Sequence, residues 1–414
     1  MKIDWQKVLI ILSFIASIFL FAFFLYWFFW RPLLGPITLT TPTSTTTAGL
    51  PSSGTAGVRT TTGAVTGELP IGGQPTQILD VNQAPGTAAS KSIKADAIVN
   101  NPTYFSNLGS DGSICYYNPN DAKFYKNING LSTPLSDNKF FSVSQAVFNN
   151  DCKKAVIEYP DGSNIVYDFS ASKQYTLPAH WQDFAFSETG DKIAFKNIGL
   201  DPDNRYLVAA KYDGTQTKIL EQIGTNADKV TVNWSPNNQV VATYVEGIDS
   251  TRSEVYFIGQ NNENFKSMVV EGRGFSGVWS PSGQQMLYSV YDPNNNYKPS
   301  LWVSGASGDN VGANRTQVNL ETWADQCVFA SETYALCLAP QTMPAGAGLD
   351  RQNLTANIPN SVWAVDLRTG ATALAAVPQN LTTMDKLMIN PNSPNSVFVV
   401  DGTSKYIYEI NLAQ

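Results

Sequence analysis

Charge and histidine are scarce in this 414-residue chain, and their scarcity excludes several classes of function. Asp, Glu, Lys and Arg make up only 15% of the residues, and the net charge is −7. A nucleic-acid binder needs clustered Lys and Arg to neutralise phosphates, so we expect no nucleic acid among the partners. The single histidine, His180, does not suffice for a multi-His metal site and makes a His-based triad hard to build.

The common motifs of metal, phosphate and nucleophile sites are missing as well. The chain has four cysteines, but none are arranged as Cys-x-x-Cys, so a zinc knuckle is not indicated. No Gly-x-Ser-x-Gly is present, and Gly346-Ala-Gly348 lacks the rest of a phosphate-binding loop. We therefore expect no cofactor and no catalytic residue, and hence no enzyme.

One long run without charge lies near the N-terminus. After a short segment, residues 1–7, the residues 8–30 are mostly Leu, Ile, Phe and Trp. A helix of this length spans about 34 Å, enough to cross the hydrocarbon core of a bilayer. A cleaved signal peptide is the alternative, but its apolar region is usually shorter and ends in small residues. We predict an uncleaved signal anchor in the membrane, with residues 1–7 in the cytoplasm.

The next segment, residues 31–93, is rich in Thr, Ser, Gly and Pro. Such a composition cannot bury enough apolar surface to fold by itself. We predict a disordered linker that holds a domain at residues 94–414 on the extracytoplasmic side, in the periplasm or at the cell surface.

A turn motif recurs through residues 94–414. At Trp279-Ser-Pro-Ser-Gly283 an aromatic residue ends one strand, Pro281 and Gly283 make a turn, and a second strand follows. The mean interval between the residues before successive turns, (389 − 105)/6, is about 47 residues, the length of a propeller blade of four antiparallel strands. We predict an all-β fold, a β-propeller of seven four-stranded blades. The residues before the turns are Phe105, Phe148, Phe186, Trp234, Trp279, Phe329 and Ile389.

The last of these units, from Met384 onward, has room for only three strands. Because a closed ring leaves no open sheet edge, the missing strand must come from elsewhere. We predict that residues 94–100 supply it.

Three of the turn motifs carry a resemblance to a known family. Trp234-Ser-Pro-Asn-Asn238, Trp279-Ser-Pro-Ser-Gly283 and Phe186-Ser-Glu-Thr-Gly190 resemble the Trp-Ser-Pro-Asp-Gly repeats of TolB-like, WD-repeat-like bacterial β-propellers. The resemblance covers about residues 100–414. It implies a periplasmic or exported propeller that serves mainly as a protein-binding platform. The same repeats form the propeller half of some serine peptidases, but nothing here matches their hydrolase half.

The four cysteines predict two disulfides in an exported chain. Cys327 and Cys337 flank a predicted hairpin of the sixth unit, where they can face one another. Cys115 and Cys152 lie in the first and second units, which neighbouring blades can bring close. Four free thiols in a reducing compartment are the alternative.

Two groups of residues are candidates for binding. Four aspartates lie three to six residues before the residue that precedes the turn of their unit, which we call its landmark. This places them at the predicted mouth of the central channel; they are Asp183, Asp228, Asp325 and Asp385. A ring of carboxylates there could hold a hard cation or a basic peptide. The alternative is that each Asp bonds its own turn.

The second group lies in the longest departure from the repeat, residues 340–360. Insertions in repeat proteins map to loops on one face, often the binding face. Its candidate residues are Met343, Leu349, Asp350 and Arg351. A tolerated surface excursion is the alternative.

Taken together, the sequence predicts a membrane-tethered extracytoplasmic β-propeller that binds a protein or a glycan of the cell envelope. Two alternatives stay open. One is a propeller enzyme, a hydrolase or lyase acting on envelope glycans, which would need paired carboxylates in one pocket. The other is a structural subunit of an envelope or pilus assembly.

Overall fold

Seven β-sheets form the folded part of the chain, which a computed structural model describes for residues 92–391, 393 and 395–412. The predicted cytoplasmic segment 1–7, the anchor 8–30 and the linker as far as residue 91 lie outside these described residues. Within them, no helix is both long enough and apolar enough to cross a membrane.

Each sheet is one blade, and the first strands of neighbouring blades contact one another in blades 1 to 4 and in blades 6 and 7. Two strands precede the first blade: β1 (Ser92–Ile93) and β2 (Asp96–Val99). Blades 1 to 3 consist of β3 (Tyr104–Leu108), β4 (Ile114–Asn118), β5 (Lys123–Ile128) and β6 (Leu131–Pro134); β7 (Gln145–Phe148), β8 (Lys154–Glu158), β9 (Asn164–Asp168) and β10 (Lys173–Leu177); and β11 (Trp181–Phe186), β12 (Lys192–Ile198), β13 (Arg205–Lys211) and β14 (Lys218–Gln222).

Blades 4 to 7 continue in the same order, each from its innermost strand outward. They consist of β15 (Val230–Val232), β16 (Val240–Gly247), β17 (Ser253–Gly259) and β18 (Met268–Val270); β19 (Arg273–Trp279), β20 (Gln285–Tyr291), β21 (Pro299–Gly305) and β22 (Thr316–Val318); β23 (Cys327–Phe329), β24 (Tyr334–Pro340), β25 (Asn360–Asp366) and β26 (Thr372–Pro378); and β27 (Met384–Ile389), β28 (Ser396–Asp401) and β29 (Ile407–Asn411).

The helices of the described part are short and lie in the loops. One is the α-helix α1 (Arg351–Thr355). The others are single 3₁₀ turns or pairs of them at Pro202–Asn204, Gly224–Lys229, Pro293–Asn295, Gly308–Asn310 and Ala324–Gln326.

The recurring turn motif is the hairpin between the first and second strands of a blade. In blade 5, the Ser280 N–H donates to the Gln285 carbonyl over 2.9 Å and the Gly283 N–H donates to the Ser280 carbonyl over 2.8 Å. Gly283 has a φ of +69°, which a glycine adopts without strain. The Trp279 indole N–H donates to the Asn233 carbonyl of blade 4 over 3.2 Å. The motif is therefore scaffold that joins adjacent blades.

The position predicted for the motif in blade 1 is wrong by three residues. The Gly109 N–H donates to the Ser113 carbonyl over 2.7 Å, and Leu108 pairs with Ile114, so Leu108 precedes the turn. Phe105 lies instead in a bulge of β3 with a φ of +52°. Phe105 has the aromatic side chain that precedes the turn in other blades, but the Gly-Ser-Asp-Gly turn at residues 109–112 sets the pairing register of β3 with β4.

The hydrophobic core consists of seven clusters, each shared by two consecutive blades. Between blades 1 and 2, for example, the rings of Phe124 and Phe148 lie 5.6 Å apart, edge to face. No blade has a core of its own, because each sheet buries both faces against its neighbours. Burial of apolar side chains, at roughly 25 cal/mol per Å², therefore depends on the complete ring.

Both predicted disulfides are present, and all four cysteines of the chain are paired. Cys327 and Cys337 face one another across β23 and β24, with their Cα atoms 4.0 Å apart. Cys115 on β4 bonds Cys152 in the first turn of blade 2, with a Cα distance of 6.1 Å. One bridge closes a hairpin, and the other joins two blades.

The ring closes through the segment that precedes blade 1, as predicted. β2 pairs antiparallel with β29, with Val99 opposite Ile407, and so completes blade 7. β1 pairs in parallel with β26 at the outer edge of blade 6. The folded domain therefore begins at least two residues before the predicted boundary at residue 94.

Asn380 fixes this closure, and its removal should weaken the whole ring. Its side-chain oxygen accepts from the Ala95 N–H and its amide donates to the Ala95 carbonyl, both over 2.9 Å. Asn380→Ala leaves both backbone groups without a partner and should lower the free energy of unfolding by about 1–3 kcal/mol in urea titration. The control Asn353→Ala removes an exposed amide and should change it by less than about 0.5 kcal/mol. An equal loss of unfolding free energy in the two variants would contradict the role of Asn380 in ring closure.

Candidate functional site

Two sets of loops meet on one face of the propeller, which we call the top face. One set joins the outermost strand of a blade to the first strand of the next, and the other joins the second strand to the third. Because consecutive strands are antiparallel, both sets emerge at the same end of the blades. The insertion at residues 340–360 belongs to the second set and therefore lies on the top face.

A pocket of about 420 Å³ opens on the top face at blades 6 and 7. It unites parts of both predicted groups, because Asp325, Asp385 and Arg351 all line it. The other lining residues are Trp323, Gln326, Pro340, Thr355, Ala356, Ile358, Asn360, Thr383, Met384 and Gly402. We call this cavity the blade 6–7 pocket.

Arg351 is held in this pocket by an acidic and an aromatic partner. Its Nη1 donates to both oxygens of Asp325, over 2.9 and 2.7 Å. Its guanidinium lies 4.5 Å from the centre of the Trp323 ring, a distance at which a cation is attracted to an indole face. The turn that carries Trp323 and Asp325 is held against blade 5, because the Ala324 N–H donates to the hydroxyl of Ser289 on β20 over 3.1 Å.

The second carboxylate, Asp385, lies on β27 of blade 7. It forms an ion pair with Lys405, from the loop between the second and third strands of that blade. The Gln326 side chain donates to the Asp385 carbonyl over 3.1 Å and so links the two blades. The four charged groups of the blade 6–7 pocket and its rim thus balance as two anions and two cations.

The insertion that supplies Arg351 is braced from two directions. The Gly346 and Gly348 N–H groups donate to the Asn296 and Tyr297 carbonyls of blade 5, over 2.8 and 2.7 Å. Asp350 caps α1 by accepting from the Asn353 N–H. Arg351, the first residue of α1, therefore has a fixed direction. Of the other predicted residues here, Met343 is half-buried and Leu349 is exposed, and neither lines the pocket.

The other two predicted carboxylates lie elsewhere. Asp183 lies in a bulge of β11 with a φ of +56° and binds Lys196 over 2.7 Å. Asp228 is in the 3₁₀ segment before blade 4, next to Lys229, which pairs with Glu246. In the described part of the chain, no three His, Cys, Asp or Glu residues come together as metal ligands.

Two titratable groups with shifted pKa values, Glu158 on β8 and Lys386 on β27, had no sequence signal. Burial, and secondarily the charge of Asp183, raise the pKa of Glu158 to about 7. The residue Lys386 is exposed as a whole, but burial of its ammonium lowers the pKa to about 8, and this ammonium donates to the Ser106 carbonyl of blade 1. Both environments arise from neighbouring blades, so no local motif marks them.

The raised pKa of Glu158 gives the fold a pH dependence. Between pH 4.5 and 7 the folded protein holds a proton on Glu158 that the unfolded chain releases, so this group's contribution to stability falls as pH rises. Glu158→Gln should match the wild type near pH 4 and exceed its free energy of unfolding by on the order of 1–2 kcal/mol at pH 8, in urea titration. The exposed control Glu188→Gln should leave the profile unchanged. A Glu158→Gln profile parallel to that of the wild type would refute the assignment.

Comparisons with known proteins identify the fold only. No family model and no curated protein matches the chain. The β-propeller domain of Cps50 (Swd1) from Myceliophteria thermophila matches with a TM-score of 0.52 at 8% identity, over 77% of this chain and 98% of that one. An oligogalacturonate lyase in complex with manganese has a TM-score of 0.48 at 10% identity, over 80% of this chain and 96% of the lyase. The tricorn protease has a TM-score of 0.49 at 10% identity, over 77% of this chain and 34% of the protease.

The expectation that the chain is not an enzyme is contradicted by this set of matches, because it includes a lyase and a protease. The absence of familiar sequence motifs was no ground for excluding catalysis. Identity of about 10% shows the fold alone and transfers no residue role. The TolB-like resemblance is not confirmed by any family match, whereas the seven-bladed propeller fold is shown.

Proposed function

We propose that this protein is a membrane-tethered, extracytoplasmic β-propeller that binds a glycan of the cell envelope in the blade 6–7 pocket. The observation that carries the proposal is the arrangement of Trp323, Arg351 and Asp325 at the wall of that pocket. The guanidinium of Arg351 covers one face of the Trp323 indole, so a sugar ring, which has apolar C–H faces and a rim of hydroxyl groups, would lie against this stacked pair and bond the charged groups beside it.

The remaining lining residues fit the same kind of ligand. Carboxylates accept hydrogen bonds from sugar hydroxyls, and the side-chain oxygen of Gln326 can accept as well. The Asn360 amide instead fixes the wall, since it donates to the Met384 carbonyl and accepts from the Met384 N–H, both over 2.9 Å. The volume of about 420 Å³ falls within the range of roughly 300–1,000 Å³ for small-molecule sites. Because Arg351 is already held by two partners, little rotamer entropy is lost when a ligand binds.

Two further features support an extracytoplasmic location. Disulfides persist in oxidising compartments, and both pairs of cysteines are within bonding geometry. The uncharged run at residues 8–30 has the length of a membrane-crossing helix. Both are properties expected of a tethered envelope protein.

Binding can be tested on the full chain in detergent with oligosaccharides released from the envelope of the producing cell. We expect saturable binding by calorimetry, and at least tenfold weaker binding for Arg351→Ala and for Trp323→Ala, since each removes a wall of the pocket. Arg252→Ala is the matched control, because Arg252 forms an equivalent two-bond pair with Asp249 on the top face of blade 4. Its affinity should stay within twofold of wild type. The proposal would be refuted if no envelope oligosaccharide bound, or if Arg252→Ala weakened binding as much as Arg351→Ala and Trp323→Ala do.

Cleavage of the glycan in the same pocket is the second candidate function. The specific observation in its favour is that Asp325 and Asp385 line one cavity, because glycan-cleaving enzymes commonly work with two carboxylates. If the wild type shortens the bound oligosaccharides, Asp325→Asn and Asp385→Asn should each slow cleavage by about 10²-fold or more while leaving the fold intact. Asp249→Asn should retain full activity. Product formation would be followed by mass spectrometry, and cleavage that survives both changes would place any activity outside the pocket.

A further inference from the structure

Four asparagines of the propeller stand in the pattern Asn-x-Ser/Thr, where x is not proline. This pattern is the acceptor motif for asparagine-linked glycans. The sugar is joined to the side-chain amide of the Asn, and the motif also requires the hydroxyl two residues later. A transferase that meets the folded chain therefore needs both groups accessible together. The four are Asn233, Asn314, Asn353 and Asn380.

The fold closes two of these motifs. The Asn233 amide donates to the Gly277 carbonyl over 3.1 Å, and Ser235, which carries the hydroxyl of this motif, is fully buried. The Asn380 amide is the group that fixes Ala95 in the ring closure. A glycan on either amide would break a contact between segments that the propeller needs.

A third motif is engaged within helix α1. The Asn353 amide donates to both oxygens of the Asp350 carboxylate, over 3.1 and 2.9 Å. The Thr355 hydroxyl donates to the Arg351 carbonyl over 2.8 Å. Both groups of this motif are therefore already in use.

Asn314 is different, because both groups of its motif are free. It is exposed, has a φ of +50°, and lies in the connection between β21 and β22 of blade 5. In the described part of the chain, neither the Asn314 amide nor the Thr316 hydroxyl has a hydrogen-bond partner. The loop itself is held, since the Gly305 N–H donates to the Ala313 carbonyl over 2.9 Å. A free acceptor amide is thus presented on a fixed loop.

A polar cavity of about 440 Å³ adjoins this acceptor, and both Asn314 and Thr316 line it. It opens between blades 5 and 6 on the face opposite the top face, and we call it the blade 5–6 cavity. Val303 and Leu367 give it apolar surface. Amides donate and accept hydrogen bonds, as sugar hydroxyls do. The other amide side chains of its wall are Gln284, Gln285 and Asn310.

We propose that Asn314 carries an asparagine-linked glycan, whose first sugar lies in the blade 5–6 cavity. In the transfer, the Asn314 amide nitrogen bonds the anomeric carbon of a lipid-linked oligosaccharide diphosphate. The bond from that carbon to the diphosphate oxygen breaks, the lipid diphosphate leaves, and one amide proton passes to a base of the membrane transferase. The inference rests on the proposed extracytoplasmic placement, but the site is distinct from the blade 6–7 pocket.

Peptide mass spectrometry on the full chain, extracted from membranes of the producing cell, tests the modification. The peptide that contains Asn314 should carry a glycan, whereas those that contain Asn233, Asn353 and Asn380 should not. Thr316→Ala keeps the amide but removes the hydroxyl, and should lower the occupancy of Asn314 about tenfold or more. Thr316→Ser keeps the hydroxyl and should retain the glycan.

A reporter motif separates failure of this inference from failure of the proposed placement. Leu131→Thr completes the motif at Asn129, which is exposed, has the same φ of +50°, and lies in the equivalent connection of blade 1. Leu131 is 70% exposed, so the change should leave the fold intact. A glycan at Asn129 with none at Asn314 would overturn the inference and leave the placement standing. A glycan at neither would overturn the inference as well, and protease added outside intact cells then reports the placement by itself.

The position of the first sugar is tested by hydrogen exchange. Glu332 and Thr333, in the first turn of blade 6, line the blade 5–6 cavity across from Asn314. Enzymatic release of the glycan should speed exchange at residues 331–333 and leave it unchanged at residues 160–163, in a turn of blade 2. Equal exchange at residues 331–333 before and after release would place the sugar outside the cavity and overturn that part of the proposal.

Discussion

Closure of the ring by β2 is the constraint on which the rest of the structure depends. Since each hydrophobic cluster is shared by two blades, an open ring would expose clusters on both sides of the gap. The closing contact also lies close to the candidate site along the chain. Asn380, which binds Ala95 on both backbone groups, stands in the turn that leads to Thr383 and Asp385 of the blade 6–7 pocket. The position of one wall of that pocket therefore depends on the same turn that joins the two ends of the propeller.

Much of the fold could be predicted because its signals are local. Turn residues fix each inner hairpin, and the count of strands in the last unit required a donated strand, which β2 supplies. The pairing of Cys327 with Cys337 followed from the register of one hairpin. The error at Phe105 shows the limit of this reasoning. An aromatic residue was taken as the landmark, but in β3 it occupies a bulge, and the turn chemistry of Gly109 to Ser113 determines the register.

The candidate site was only partly predictable, because its contacts join distant segments. Asp325 was identified because an Asp recurs at a similar position in several units, and Arg351 because it lies in the insertion that departs from the repeat. Their pairing, however, joins residues 26 positions apart on two different loops. The partner of Asp385, Lys405, comes from a loop with no distinctive composition. The four predicted aspartates have similar positions in their units, but their surroundings in the folded protein differ. Ion pairs on separate blades hold Asp183 and Asp385, and the insertion changes the surroundings of Asp325 alone.

The insertion between the second and third strands of blade 6 is the main departure from the repeat on the top face. Added chain in blade 6 builds a wall on the top face, and a concave polar pocket results. The indole N–H of Trp279 is used by the neighbouring blade, whereas Trp323, outside the motif, keeps its ring face against the guanidinium of Arg351. In this propeller the repeat supplies rigidity, and the candidate binding residues lie where the repeat is lengthened.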